Sequence, residues 1–157
     1  MKIREADAAD IPAIISLNDE VHAIHVRLFP EVFKPIEPAA LVEWFGDWLG
    51  DEDKMILVAE DDGGLVAYLT LRKDERPAHL FAKSRQCAYI DQVCVTEGRR
   101  GQGIFQALLE RARAVARGWG LSRLELDVWS DNTAARNAFM RSGFRPYFEK
   151  MKLSIDD

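Results

Sequence analysis

The sequence has few cysteines, no long apolar run and no excess of positive charge, and each shortage argues against a class of protein. No stretch is apolar enough to span a membrane, and the amino terminus lacks the apolar segment of a signal peptide. Cys87 and Cys94 are the only cysteines. On one extended strand they would lie about 23 Å apart, too far for a disulfide. A net charge of −5 does not favour binding to nucleic acid or to an anionic membrane. These shortages indicate a protein of the reducing cytoplasm.

The residues that are present have the proportions of an ordinary globular protein. Hydrophobic residues make up 48% of the chain and charged residues 30%, which argues against a disordered polypeptide. A chain of 157 residues is long enough to bury one sizeable core. We therefore expect a single domain that spans residues 1–157.

Apolar residues recur with the periods of strands and helices along the whole chain. Helical spacing predicts helices over residues 11–28 and 39–49, a third from Ile104 to near Gly118 or Gly120, and a fourth that ends at Ser142. Alternation predicts strands over residues 2–6, 55–60, 65–71, 89–95, 121–129 and 144–155. Residues 72–85 are polar and are predicted to form a loop. Asp7 or Asp10 is expected to cap the first helix, and Ser130 or Asp131 the last.

The chain is organised around residues 88–109, in which a strand, a glycine-rich turn and a helix follow one another. The turn reads Arg99-Arg100-Gly101-Gln102-Gly103. The first amides of a helix lack internal partners and, together with the helix dipole, favour an anion. Glycines let a ligand approach the backbone, and arginines offer forked donors that suit phosphate oxygens. The stretch therefore predicts a pyrophosphate site, with a solvated turn above a core helix as the alternative.

Three phosphate-binding patterns can be compared with this turn. A Walker loop is excluded because no Lys-Ser or Lys-Thr pair follows the glycines. The dinucleotide fingerprint GxGxxG fits Gly101 and Gly103 but has Gln106 at its last position. Glu125 and Asp127 lie about where a ribose-binding acid is expected, so dinucleotide binding stays an alternative. The third pattern, [RQ]xxGx[GA], matches Arg100 and Gly103 and departs only at Phe105.

At this third pattern the chain resembles the GNAT superfamily of acetyl-CoA-dependent N-acetyltransferases. Residues 95–104 align with the strand, loop and helix of that family without a gap. A second family motif, NxxAxxxYxxxGF, matches Asn132, Ala135, Gly143 and Phe144. The two motifs stand in the right order at the right separation, which makes the resemblance specific.

The resemblance implies an α/β fold of the α+β kind, with a mixed, mostly antiparallel central sheet of about six or seven strands flanked by four helices. Its central strands, here residues 89–95 and 124–129, would splay apart. The pantetheine arm of acetyl-CoA would lie in that opening and pair with the backbone of Val93 and Val95. The residues expected to contact the cosubstrate are Val93, Val95, Arg99, Arg100, Gly101, Gln102, Gly103, Ile104, Phe105, Asn132, Ala135 and Phe139.

The resemblance also implies direct attack of a primary amine on the thioester. The amide of Val95 is expected to polarise the thioester carbonyl. Asp91 interrupts an apolar strand and, on a regular strand, shares a face with Val93 and Val95. It is therefore the candidate group for removing a proton from the amine. The alternative is a carboxylate that only binds the cationic substrate or pairs with an arginine.

The tyrosine that usually serves as the general acid of the family falls in register with Phe139, which cannot donate a proton. The thiolate would then leave unaided, or take a proton from water or from a hydroxyl such as that of Tyr89 or Tyr147. A further alternative is a non-catalytic acyl-CoA sensor or interaction module.

In the family, the first helix and the loop after it border the acceptor pocket. The residues expected to bind the acceptor are Glu20, His22, His25, Phe29 and Asp91. His22 and His25 stand three residues apart near Glu20, but no further ligand cluster accompanies them, so no metal is expected. The acceptor is expected to be a small-molecule or peptide amine. Because the family often dimerises, a homodimer is one expectation.

Overall fold

The computed structural model describes residues 1–155, which form one sheet and four α-helices. The strands are β1 (Lys2–Glu5), β2 (Lys54–Asp61), β3 (Gly64–Arg76), β4 (Arg85–Val95) and β5 (Leu124–Leu126). The helices are α1 (Ile11–Leu28), α2 (Pro38–Leu49), α3 (Ile104–Gly118) and α4 (Thr133–Arg141). Two short 3-10 turns cover Ala8–Asp10 and Glu97–Arg99.

The five strands form one sheet in the order β1-β2-β3-β4-β5. The first four are antiparallel neighbours, whereas β5 runs parallel to β4. This topology differs from the doubly wound parallel sheet that a dinucleotide-binding fold would need. The expected mixed, mostly antiparallel class is confirmed, although the described residues form five strands and not six or seven.

The sheet is buried on both of its faces. Ile56 and Tyr68 belong to a buried cluster that they form with residues of α1 and α2. Leu57 and Leu69 point to the opposite face, because side chains alternate along a strand, and both are fully buried. Helix α3 contacts β2, β3 and β4 and buries Leu108. We infer that α1 and α2 cover one face of the sheet and α3 the other.

The start of α1 differs in one detail from the prediction. Asp7 accepts the N–H of Ala9 at 2.8 Å and thereby caps the 3-10 turn ahead of the helix. Asp10 stands at the helix start, but its carboxylate lies 2.6 Å from the guanidinium of Arg4, accepts the N–H of Asp7 and does not cap α1. Because Arg4 belongs to β1, this ion pair ties β1 to the first helix.

The predicted loop over residues 72–85 is strand at both of its ends. β3 and β4 continue to pair from Arg72 opposite Tyr89 as far as Arg76 opposite Arg85. The predicted loop was too long because cross-strand backbone pairing outweighs a polar local sequence. Residues 77–84 lie outside the two strands, as predicted, with an isolated bridge between His79 and Ala82.

The carboxyl-terminal predictions are also corrected. The strand expected over residues 121–129 is limited to β5, and Asn132, not Ser130 or Asp131, caps α4. The strand expected over residues 144–155 is absent from the part of the chain that the structure describes. A strand needs a neighbouring strand to satisfy its backbone, and the described residues after Asp127 contain none.

Two compact units divide the chain, one from Met1 to Asp127 and a second that begins at Val128. The first holds the whole sheet and α1 to α3, and the second holds α4. Within residues 1–155 no helix combines the length and apolar character needed to cross a bilayer.

Candidate active site

Strand β4 contains a β-bulge at Asp91. Ile90 pairs with Leu71 and Gln92 pairs with Thr70, so Asp91 has no partner residue in β3. An extra residue in one strand of an antiparallel pair locally disrupts the ladder and shifts the alternation beyond it. Bulges often lie beside active sites, where they redirect side chains.

The bulge decides which face carries the carboxylate of Asp91. This carboxylate contacts Arg72, and Arg72 lies on the same face of β3 as Tyr68 because the two are four positions apart. Val93 pairs with the residue after Tyr68, so Val93 and Val95 point to the opposite face. The expectation that Asp91 shares a face with the two valines is therefore wrong, since the bulge interrupts the alternation.

The backbone groups of Val93 and Val95 point away from β3. The N–H of Thr96 donates to the carbonyl of Val66 at 3.0 Å, which sets the phase of the ladder. Hydrogen-bonded and non-bonded pairs alternate in an antiparallel ladder, so the two valines belong to non-bonded pairs. In agreement, the Val95 carbonyl accepts a hydrogen bond from Nε of Arg100 at 2.9 Å.

The edge that these groups face is open. β5 pairs with β4 only from Ala88 to Ile90, and the N–H of Ala88 donates to the carbonyl of Arg123 at 2.9 Å. Beyond Ile90 no strand of the described chain pairs with that side of β4. The stretch from Asp91 to Val95 therefore presents backbone groups that no described strand pairs with, as expected of splayed central strands.

The glycine-rich turn leads directly from this edge into α3. Gly101 and Gly103 have φ angles of 77° and 79°, in the left-handed region that favours glycine. Gly103 stands at the start of α3, followed by the buried Ile104 and the half-buried Phe105. Gln102 donates from its side chain to the carbonyl of Gly98 at 3.3 Å. The turn thus joins a helix amino terminus to backbone that is not shielded by β-carbons.

The two arginines of the turn have different partners. Arg99 forms an ion pair with Asp61, at the end of β2. Arg100 bonds through Nε to the Val95 carbonyl, which holds its guanidinium beside the open edge of β4. Arg99 therefore anchors the turn to the β2–β3 hairpin, while Arg100 stands where the edge meets the turn.

Glu20 holds the same turn from the side of α1. Its carboxylate accepts the hydroxyl of Thr96 at 2.8 Å and the N–H of Glu97 at 3.3 Å. Both contacts lie at the start of the 3-10 turn Glu97–Arg99, whose first amides lack partners within the turn. In this structure Glu20 supports the turn, a role that the sequence did not suggest.

Asp91 pairs with an arginine. Nε of Arg72 lies 3.0 Å from Oδ2 of Asp91, and the same guanidinium contacts Asp74. Burial raises the pKa of Asp91, and this effect outweighs the opposing effect of the hydrogen bond from Arg72. The side chain is 25% exposed. Its carboxyl group is thus partly shielded from water and paired, but still accessible.

Tyr89 lies beside this pair. The guanidinium carbon of Arg72 lies 4.8 Å from the centre of the Tyr89 ring, a cation–π contact. Burial, followed by a hydrogen bond with the carboxylate of Asp127, raises the pKa of Tyr89. The hydroxyl therefore stays protonated and donates to Asp127, which follows directly after β5.

Buried polar residues next to the bulge were missed from the sequence. Nδ2 of Asn18 donates to the hydroxyl of Tyr68 at 2.9 Å and to Oε1 of Gln92 at 3.1 Å, and the Tyr68 hydroxyl donates to the same oxygen at 3.0 Å. Oδ1 of Asn18 is buried without a protein partner among the described residues. A signal was present, because Asn18 interrupts the apolar stripe of α1 and Tyr68 and Thr70 interrupt an apolar strand.

The histidines of α1 support the loop that follows the helix. His22 bonds through Nε2 to the carbonyl of Lys34 at 2.6 Å. His25 stacks on Phe33 with ring centres 5.1 Å apart, and burial lowers the pKa of His25. Phe29 is only 6% exposed and packs against the same Phe33. These contacts join the loop to the helix, and acceptor binding by these residues stays a prediction.

The unit that begins at Val128 contains the second sequence motif. Oδ1 of Asn132 accepts the N–H of Ala135 at 3.2 Å and caps α4. Phe139 is half-buried, and its ring centre lies 6.1 Å from that of Phe144. Within this unit the motif residues build the ends of α4, and their expected contacts with the cosubstrate stay predictions.

An open strand edge, a glycine-rich turn and a helix amino terminus therefore follow one another along the chain, and a family comparison agrees with that arrangement. The model of the acetyltransferase (GNAT) family matches residues 18–144. The chain belongs to the GNAT acetyltransferase family. It is an acyltransferase by this membership, and both sequence motifs lie within the matched range.

Relatives within the GNAT family support the assignment. An uncharacterised N-acetyltransferase of Mycobacterium tuberculosis is 28% identical over 138 residues, covering 81% of this chain and 82% of the relative. The structure of a tetramutant of the BH1408 protein from Bacillus halodurans has a TM-score of 0.92 at 28% identity, covering 99% of this chain and 100% of that one.

A structure described as a predicted acetyltransferase from Clostridium acetobutylicum, solved with acetyl-CoA, has the same fold. Its TM-score is 0.73 at 20% identity, and the match covers 98% of this chain and 96% of that one.

Proposed function

We propose that the protein transfers the acetyl group of acetyl-CoA to the primary amine of a small molecule or peptide. The observation that carries this proposal is the open edge of β4, where Val93 and Val95 present backbone groups next to the glycine-rich turn. Pantetheine has amide groups of its own, so it can pair with such an edge as an added strand would.

The turn from Arg99 to Gly103 would hold the phosphates of acetyl-CoA. Positive φ angles at Gly101 and Gly103 leave the backbone accessible, and the amino terminus of α3 supplies amides and a partial positive charge. Arg100 would contact a phosphate through the guanidinium nitrogens other than Nε. Arg99 would act indirectly, because its ion pair with Asp61 holds the turn.

Acetyl-CoA supplies the acetyl group as a thioester, and the protein orients the amine and moves protons. The N–H of Val95 points away from β3 and would stabilise the negative charge that develops on the thioester oxygen. Asp91 would accept a proton from the attacking amine, directly or through water. Burial and a raised pKa support this role, while the contact with Arg72 keeps the carboxylate oriented.

The proton for the departing thiolate need not come from a tyrosine of α4, because Phe139 stands at that position. Tyr89 is the described hydroxyl nearest in sequence to Asp91, but its raised pKa and its bond to Asp127 make it a weak donor. A thiolate is a good leaving group, since the pKa of an ordinary thiol is only about 8.5. We therefore favour departure without a dedicated acid.

The direct test is acetyl transfer from acetyl-CoA to a panel of amines, followed through the free thiol of CoA. We expect thiol release that depends on both substrates, with mass spectrometry showing one added acetyl group on the amine. Calorimetric binding of acetyl-CoA with no turnover across polyamines, amino acids, aminoglycosides and peptide amino termini would contradict the enzymatic proposal.

That outcome would favour the second candidate, a non-catalytic acyl-CoA sensor. Two observations favour this candidate. Asp91 pairs with Arg72, and a phenylalanine stands at position 139. Both reduce the proton-transfer groups available, and neither reduces the binding surface for the cosubstrate.

A further inference from the structure

The β-bulge at Asp91 is held by a side chain of the neighbouring strand. The hydroxyl oxygen of Thr70 accepts the backbone N–H of Gln92 at 2.9 Å and lies 3.5 Å from the carbonyl oxygen of the same residue. Thr70 is completely buried. A buried hydroxyl in the middle of an apolar strand is costly unless it is hydrogen-bonded, and here its partners lie in the backbone of the bulge.

A second contact holds the same residue from its side chain. Oε1 of Gln92 accepts hydrogen bonds from the Tyr68 hydroxyl at 3.0 Å and from Nδ2 of Asn18 at 3.1 Å. Tyr68 is 0% exposed and Asn18 3% exposed. The backbone and the side chain of Gln92 are therefore both fixed by buried groups of β3 and α1.

The position of the bulge determines which amides reach the open edge. On the amino-terminal side, even-numbered residues such as Ala88 direct their backbone toward β5. On the carboxyl-terminal side, the odd-numbered Val93 and Val95 direct theirs outward. A bulge moved past Val95 would leave Gln92 and Cys94 facing outward instead. The amide of Val95 would then point into the sheet.

We propose that Thr70 is a positioning residue that holds the β4 bulge and so directs the amides of Val93 and Val95 toward the acetyl group donor. This inference rests on the proposed function of the open edge. It adds a buried residue of β3 that touches neither substrate, and it gives a role to the polar network of Asn18, Tyr68 and Gln92.

The test compares Thr70→Val, which keeps shape and removes the hydroxyl, with Thr70→Ser, which keeps the hydroxyl. We expect Thr70→Val to lower kcat/KM for acetyl transfer about 10²-fold, the effect of a misplaced reacting group. Thr70→Ser should retain activity within about threefold of wild type. Equal losses in the two variants would overturn the proposal, since packing and not the hydroxyl would then matter.

Ile56→Val is the matched control for lost stability. Ile56 pairs with Thr70 from β2, which borders β3 on the side away from β4. It is 2% exposed and loses one methylene in this variant. It should lower the urea midpoint and leave kcat/KM unchanged at 25 °C. A folded Thr70→Val protein with wild-type kcat and KM would overturn the proposal.

Amide hydrogen exchange provides a readout that is independent of activity. Thr70→Val should speed exchange at Gln92 and change the chemical shifts of Val93 and Val95, while Ile56→Val should not. If the wild-type protein acetylates no amine, the proposed function fails, and the exchange data still decide whether Thr70 holds the bulge. Unchanged exchange at Gln92 in Thr70→Val would overturn that part.

If Thr70→Val does not fold, Tyr68→Phe serves instead. It removes one hydrogen bond to Oε1 of Gln92 and leaves in place the bond that the Gln92 N–H donates to Thr70. We expect a loss of kcat/KM in the same direction but smaller, about 3- to 10-fold, with wild-type KM for the acceptor. A folded Tyr68→Phe protein with wild-type kcat/KM would overturn the proposal that the network of Asn18, Tyr68 and Gln92 helps to hold the bulge.

Discussion

The two halves of β4 are bonded differently. From Arg85 to Ile90 the strand pairs with β3, and residues 88–90 also pair with β5. From Asp91 to Val95 it has a strand neighbour on one side only, and side chains supply some of the remaining contacts. Thr70 bonds the backbone of Gln92, and Arg100 bonds the carbonyl of Val95.

This difference shows where a binding site can form in a sheet. From Ala88 to Ile90 both sides of β4 pair with neighbouring strands, so these backbone groups have no capacity for a ligand. In the second half, the outward groups of Val93 and the outward N–H of Val95 remain available for a strand-like ligand because the bulge turns them away from β3. The following predictions compare substitutions in or beside the open half with matched substitutions elsewhere in the sheet and helices.

The largest effect is expected for Asp91→Asn, which keeps shape and removes the charge. If Asp91 takes the amine proton, kcat should fall about 10²-fold or more at neutral pH. It should recover as pH rises and free amine accumulates, since an ammonium group has a pKa near 10. Initial rates between pH 6 and 10 measure both effects.

The activity of the wild-type protein should fall as the pH decreases. Burial raises the pKa of Asp91, so the ionised base is lost as pH falls through a value above that of an ordinary aspartate. Asp74→Asn is the control, because Asp74 contacts the same Arg72 but lies on β3, opposite Cys87 and away from the bulge. A raised acceptor KM with kcat kept would mean that Asp91 only binds the substrate.

Arg100→Glu should weaken acetyl-CoA binding by about 10- to 100-fold. Hydrogen bonds from a charged group are worth about 1.5–3 kcal/mol, and the reversed charge repels phosphate. Calorimetry on the folded variant measures the change. Arg123→Glu, at the paired end of the sheet, should leave affinity unchanged, and equal affinity of wild type and Arg100→Glu would exclude Arg100 from the phosphate site.

Glu20→Ala should raise KM for acetyl-CoA about fivefold and leave acceptor KM unchanged. Loss of a cap costs about 1 kcal/mol, and the affected amide and hydroxyl belong to Glu97 and Thr96 beside the open half. Asp19→Ala, an exposed neighbour on α1, is the control. A raised acceptor KM instead would support the sequence-based expectation that Glu20 binds the acceptor.

The smallest effect on activity is expected for Asp10→Asn. Asp10 pairs with Arg4 of β1, and two strands separate β1 from β4. Arg4 holds the Asp10 carboxylate and lowers its pKa, so this pair stabilises the protein above about pH 4, and the contribution is lost as pH falls further. Urea unfolding at pH 7 should show a loss of about 1–3 kcal/mol. The loss should shrink at pH 3, and kcat at 25 °C should stay at the wild-type value.

Much of the fold could be predicted because its signals are local. The stripe of α1 predicted its bounds, Ile11 to Leu28, and the glycines after β4 located the turn and the start of α3. The two motifs identified the family. Each signal is carried by residues a few positions apart, where helical or strand periodicity is set by neighbours along the chain.

Only the tertiary structure determined how the candidate site is bonded. The bulge at Asp91, the hydrogen bond from Gln92 to Thr70 and the pairing of Asp91 with Arg72 join residues about 20 positions apart. Strand register depends on such distant contacts, and one extra residue moves every later side chain to the other face. The sequence therefore placed Asp91 and the valines on one face, and the folded sheet separated them.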